Sequence, residues 1–128
     1  MIAADTSTWV AYLEGSTGED VRLLDEALHN RRVAMVPAVL TELLSDPQLP
    51  TDVAKLLCGI PQITIETGFW ERAGALRAKA LAKRRKARLG DALIAQTCLD
   101  GGVALITRDK DFRTFVQGAG LAALPKPI

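Results

Sequence analysis

Four carboxylates stand out by their places in the chain: Asp5, Glu42, Asp91 and Asp109. Asp5 ends the short apolar run Ile2–Ala4. Asp109 follows the run Val103–Ile106 in "LITRDKDF", where Asp111 adds a second acid. Glu42 stands in "AVLTELL" and Asp91 in "LGDALIAQTCL", each among apolar neighbours that offer little polar company. Taken singly, an Asp ahead of a helix is most simply a cap. A single Glu on a helix is most simply part of a solvated face. Gathered in one place, the four would do something else. Two carboxylates about 5 Å apart repel by roughly 3 kcal/mol at an effective dielectric near 20. Raised pKa values relieve that repulsion. A divalent cation relieves it better, and oxygen-only ligands favour Mg²⁺ or Mn²⁺. Zinc is not indicated: His29 is the single histidine, and Cys58 and Cys98 lack CxxC spacing.

Convergence needs elements that carry these acids to one rim. Short apolar runs at Ile2–Ala4, Val33–Val36, Ile63–Ile65 and Val103–Ile106 predict strands, and Leu121–Leu124 predicts an edge strand. Between them lie predicted helices over 6–13, 38–44, a short one from Thr51 to near Gly59, one from Thr67, and one over 91–99. Another begins after Thr17, whose Thr-x-x-Asp spacing to Asp20 resembles a capping box. A short helix follows Asp109 to Val116. Continuous apolar strands suit a sheet covered on both faces. The predicted fold is therefore α/β: one three-layer α/β/α domain over residues 1–128, with a mainly parallel central sheet of four to five strands. Sites in such sheets form outside the carboxyl ends of the strands. Asp5 and Asp109 share that rim if their strands are neighbours. Glu42 reaches back from the helix after the second strand. Asp91 begins the helix that returns to the fourth.

Length and composition bound the rest. The chain has 128 residues, 48% of them hydrophobic but only 5% aromatic, so Ala, Leu, Val and Ile must build most of the core. A net charge of +1 selects no class of partner. Both cysteines lie in apolar stretches and are predicted to be reduced core residues. No leader-like segment opens the chain and no uncharged apolar run reaches the ~18 residues of a membrane span. A cytoplasmic protein is expected.

Four motifs occur together: "AADTSTW" at 3–9, "PAVLTELL" at 37–44, "GDALIAQTCL" at 90–99 and "LITRDKDF" at 105–112. In order and spacing the chain resembles the PIN-domain ribonucleases, especially the toxin component of VapBC toxin–antitoxin pairs. The resemblance implies a metal-dependent endoribonuclease that hydrolyses RNA phosphodiesters and leaves a 5′-phosphate and a 3′-hydroxyl. It places Asp5, Glu42, Asp91 and Asp109 on the family's acidic positions, as metal ligands or orienters of the attacking water. Ser7 and Thr107 match small hydroxyl positions near the site, and Asp111 matches a second, less constant acid. A cognate antitoxin and a homodimer are implied as partners.

The chain departs from the family in "RAKALAKRRKARLG", 77–90, which is longer and more charged than usual. Such a run is by default a solvated helix end. Beside an acidic metal site, Lys83, Arg84, Arg85, Lys86 and Arg88 would instead offset the repulsion that an RNA backbone meets there. A partner protein is the other reading of this stretch. Other acid-based folds fit less well. A Toprim-type site needs Glu where Asp5 stands. A haloacid-dehalogenase-like phosphatase needs an Asp-x-Asp near the start. A receiver domain usually has an acidic pair after its first strand. A catalytically silent PIN-like module that binds RNA or protein is the alternative.

Overall fold

A computed structural model describes residues 1–126; the last two residues of the expected domain lie outside it. Three strands, β1 (Ile2–Ala4), β2 (Ala104–Ile106) and β3 (Ala123–Leu124), form a sheet in the order β1-β2-β3. Both pairings are parallel, with Ala4 opposite Ile106 and Ile106 opposite Leu124. The expected sheet of four to five strands is thus corrected to three. At the predicted second and third strands only single parallel bridges form, Ile2 to Val33 and Met35 to Gln62. Prolines account for their brevity. Pro37 is the first residue of a helix, where its fixed φ fits and its missing N–H costs nothing, so the chain leaves the sheet directly after Val36. Pro61 supplies its carbonyl to the Met35 N–H at 2.7 Å but has no N–H to extend the ladder.

Seven α-helices connect these strands: α1 (Thr6–Leu13), α2 (Glu19–His29), α3 (Pro37–Leu44), α4 (Thr51–Cys58), α5 (Phe69–Ala82), α6 (Leu89–Gly101) and α7 (Arg113–Ala119). A 3₁₀ turn, Lys110–Phe112, precedes α7. Both α2 and α6 pack on β2. Trp9, Phe69, Phe112, Phe115, Leu24, Met35 and Ile94 are among the largest buried side chains, and a Leu, Ile, Phe or Met adds roughly 1.5–3 kcal/mol by leaving water. Cys98 belongs to this core, whereas Cys58, the last residue of α4, is exposed; only Leu57 of that helix is buried. Among the described residues no helix is long and apolar enough to cross a membrane.

Helix α2 starts differently from its predicted capping box. Gly18, at φ +152°, is its N-cap and no side chain caps the helix. Asp20 is turned inward instead and is 5% exposed. A second departure lies at the end of α5. The Arg84 N–H donates to Leu81 O at 2.9 Å and the Arg85 N–H to Ala80 O at 3.1 Å, a Schellman ending whose left-handed position is Arg84, at φ +57°.

Candidate metal centre

Because β1 and β2 are parallel neighbours, Asp5 and Asp109 leave the sheet on the same rim. Asp5 is the N-cap of α1 and is 3% exposed. Its Oδ1 accepts the Thr8 N–H at 3.0 Å, and its Oδ2 accepts the Thr107 hydroxyl at 2.7 Å. The Ser7 hydroxyl lies between the two oxygens, 2.9 and 2.8 Å away. Burial pushes the Asp5 carboxyl above its ordinary range, against the opposing pull of the Thr107, Thr8 and Ser7 hydrogen bonds. Thr107 does two things at once. It donates to Asp5 and accepts the Asp109 N–H at 2.9 Å. Asp109 then caps the 3₁₀ turn, its Oδ1 accepting the Asp111 N–H at 2.9 Å. Both predicted hydroxyls therefore hold the acid pocket, and the capping expected of Asp5 and Asp109 coexists with their place in it.

Asp91 arrives from the other side, as the third residue of α6. One oxygen each from Asp91, Asp109 and Asp111 lies within 4.8 Å of the others. Asp91 Oδ2 is buried and, among the described residues, has no hydrogen-bond partner. Its carboxyl is pushed up to about 6, first by burial and then by the Asp109 charge; Arg88 opposes this, and Asp111 and Asp5 add to it. Leaving a buried carboxylate oxygen unpaired is costly unless something meets it. An all-oxygen donor set with one orphaned lone-pair site fits a hard divalent cation.

Glu42, on α3, stands outside that three-acid group. It is exposed, and its Oε1 accepts the Thr6 hydroxyl at 2.8 Å, which places it beside Asp5 rather than against Asp91. Asp111, whose role the sequence left open, is the acid that joins Asp91 and Asp109. The clue lay in its spacing: a tight turn after Asp109 returns the residue two positions on to the same side.

The basic stretch divides. Lys86 Nζ is 3.1 Å from Asp111 Oδ2, and Arg88, the N-cap of α6, is close enough to lower the Asp91 pKa. Arg85 points elsewhere, donating to Gln117 Oε1 at 2.9 Å. With Lys79, Lys83 and Thr114 it lines a cavity of about 140 Å³ between α5 and α7. A larger groove of about 430 Å³ runs along Pro37, Glu42, Ile65, Trp70 and Leu93; Trp70 is 65% exposed.

Comparison with known proteins bears on the family and the fold. The PIN domain profile matches residues 2–116. The chain is 31% identical over 132 residues to the VapC ribonuclease Mb1587 of Mycobacterium bovis, covering 96% of this chain and 97% of that protein. The same figures hold for ribonuclease VapC11 of Mycobacterium tuberculosis. Among solved structures, VapBC2 from Rickettsia felis, bound to a DNA fragment from its promoter, superposes with a TM-score of 0.73 at 20% identity, over 96% of this chain and 97% of that one. A toxin–antitoxin complex from Klebsiella pneumoniae gives a TM-score of 0.69 at 21% identity over the whole of both chains. On its motifs, its parallel α/β fold and these matches, the chain belongs to the PIN domain family.

Proposed function

We propose that this chain is a metal-dependent endoribonuclease, the toxin of a toxin–antitoxin pair. The observation that carries the reading is the three-carboxylate cluster with the unpartnered, buried Asp91 Oδ2. It is supported by the relatives' names, VapC ribonuclease and ribonuclease VapC11. Asp91, Asp109 and Asp111 would hold Mg²⁺ or Mn²⁺, with Asp5 behind them. When bound, such an ion lowers the pKa of a water and offsets charge on phosphate oxygens.

The chain's own residues divide the remaining work. Asp5 accepts from Thr8, Ser7 and Thr107, which hold its carboxylate in place at the sheet rim. Glu42, exposed and anchored only by Thr6, is free to orient an attacking water. Lys86 and Arg88 stand at the lip, where an RNA phosphate must pass the acids. Among the described residues the site holds no Ser–His pair, and the scheme uses an activated water as the nucleophile.

An antitoxin segment and a homodimer are the proposed partners. The exposed Trp70 groove beside Glu42 supports a protein partner, since apolar surface of this kind is usually covered in an assembly. The test is to incubate the purified protein with mixed RNA, with Mn²⁺ or with EDTA, and to map the ends. Metal-dependent cuts with 5′-phosphates support the reading. RNA left intact at every Mn²⁺ and Mg²⁺ concentration refutes it.

A further inference from the structure

Asp20 lies outside the four motifs and Arg108 inside the last of them, and the two form the most enclosed ion pair among the described residues. Arg108 Nε lies 2.7 Å from Asp20 Oδ2 and Nη2 lies 3.0 Å from Oδ1, a two-pronged contact between residues 88 positions apart. Arg108 Nη2 also donates to Thr17 O at 3.2 Å. The Asp20 side chain is 6% exposed. Burial alone would raise its carboxyl; the Arg108 hydrogen bonds, with those from Thr8 and the Val21 N–H, outweigh burial and hold it below its ordinary range.

What this pair touches gives it meaning. Asp20 Oδ2 also accepts the Thr8 hydroxyl at 2.9 Å, and Thr8 is the residue whose N–H grips Asp5 Oδ1. Arg108 directly follows Thr107, whose hydroxyl grips Asp5 Oδ2. The contacts close a ring: Asp5, Thr8, Asp20, Arg108, Thr107 and back to Asp5. Two of the three groups that hold the Asp5 carboxylate, Thr8 and Thr107 but not Ser7, are thus tied to a single buried anchor. Arg108 stands between two site residues, yet spends its guanidinium away from the acids, on Asp20. Gly18 passes close to the pair: a Cβ there would lie 2.6 Å from Asp20 Oδ1 and 2.9 Å from Arg108 Nη2, so a side chain would push the pair aside, and φ +152° itself favours glycine.

We propose that Asp20 and Arg108 are positioning residues that lock the β2 exit, Thr107 to Asp111, against α1 and so set the geometry of the acidic pocket. Outer-shell partners of this kind typically change metal affinity or activity about 10–100-fold when lost. The inference deepens the proposed metal site and rests on that reading for its metal-binding arm only.

Arg108→Lys keeps the charge but loses the fork; Asp20→Asn keeps the shape but weakens the pair. Thr8→Val, milder, removes only one side of the ring. In metal-free protein, held below each variant's melting temperature, amide exchange is measured by NMR. The Asp109 and Asp111 amides should exchange at least ~10-fold faster, with those of α6, such as Ala95, unchanged. Mn²⁺ affinity, measured by titration calorimetry, should fall about 10-fold in the same samples. Parent-like exchange at Asp109 and Asp111, or a uniform rise across all amides, overturns the inference. So does parent-like Mn²⁺ affinity in a folded variant. If the parent chain itself binds no Mn²⁺, the nuclease reading fails, and the exchange data alone decide the role of the pair.

Discussion

Lys86 holds its ammonium 3.1 Å from Asp111 Oδ2, an ion pair at the lip of the acidic pocket, the lysine side chain 58% exposed and the aspartate 29%. The cation therefore competes for the same carboxylate that a metal would use. Lys86→Met should tighten Mn²⁺ binding about two- to fivefold, the scale of an exposed ion pair. It should also raise KM for RNA, because the phosphate backbone loses a counter-charge. Calorimetry without RNA and steady-state cleavage separate the two effects. Looser Mn²⁺ binding in the variant would contradict the competition.

Asp91 carries a pH signature. Its carboxyl sits near 6 in the folded protein and at 3.8 in the reference state, so the fold holds the proton more tightly than the unfolded chain does. The stabilising form is the protonated one, present in full below about pH 4 and lost as pH rises through 6. Asp91→Asn removes the penalty above that range. At pH 7.5, without metal, the variant should be more stable than the parent by about 1–2 kcal/mol, allowing for the partial solvent exposure of the site. The gain should shrink towards pH 4, and RNA cleavage should be lost. Melting curves against pH, parent minus variant, check the sign.

Asp111 and Glu42 should part company. Asp111 belongs to the cluster and Glu42 does not. Asp111→Asn should weaken Mn²⁺ binding at least ~10-fold. Glu42→Gln should leave Mn²⁺ binding within about twofold while lowering kcat by about 10²-fold or more. Equal loss of metal affinity in both would place Glu42 among the ligands.

Arg84 adopts a conformation that costs an L-residue about 1–2 kcal/mol and glycine little. Arg84→Gly should stabilise the protein by about 1 kcal/mol, read as a rise in urea midpoint. A higher KM for RNA in this more stable protein would show that the side chain serves binding. An unchanged KM would assign it to the helix end alone.

Cys98 and Cys58 should differ sharply towards thiol reagents. Burial, and then the Asp5 charge, push the Cys98 thiol up to about 12, while Cys58 is exposed. Native protein should titrate one thiol quickly, and the second only after unfolding. Two fast thiols would mean that the core around Cys98 opens readily.

The acids that open and close the sheet rim could be read from sequence because their positions follow from strand ends. Asp5 and Asp109 needed only two short apolar runs and a parallel pairing. Asp91 needed only the helix that feeds the later strand. Long-range choices were less visible. Thr17-x-x-Asp20 has the local spacing of a capping box, yet Asp20 is claimed by Arg108 from the far end of the chain; tertiary charge pairing overrode a local preference. Val33–Val36 has the composition of a strand, but strand length depends on where the chain turns, and Pro37 turns it at once into α3. Which acids meet was also a matter of side-chain reach. Asp111 joins through a 3₁₀ turn, while Glu42 meets Thr6 and stays outside the three-acid group.

The pairing of Ala4 with Ile106 has a bearing on biosynthesis. During translation Asp5 emerges about a hundred residues ahead of the strand that pairs with β1. Contacts so distant in sequence form late, since a long loop must close before they repay its entropy. A nascent or prematurely terminated chain that stops short of residue 104 has no means of assembling the pocket. Whatever this pocket binds is out of its reach until β2 and the turn after it have been made.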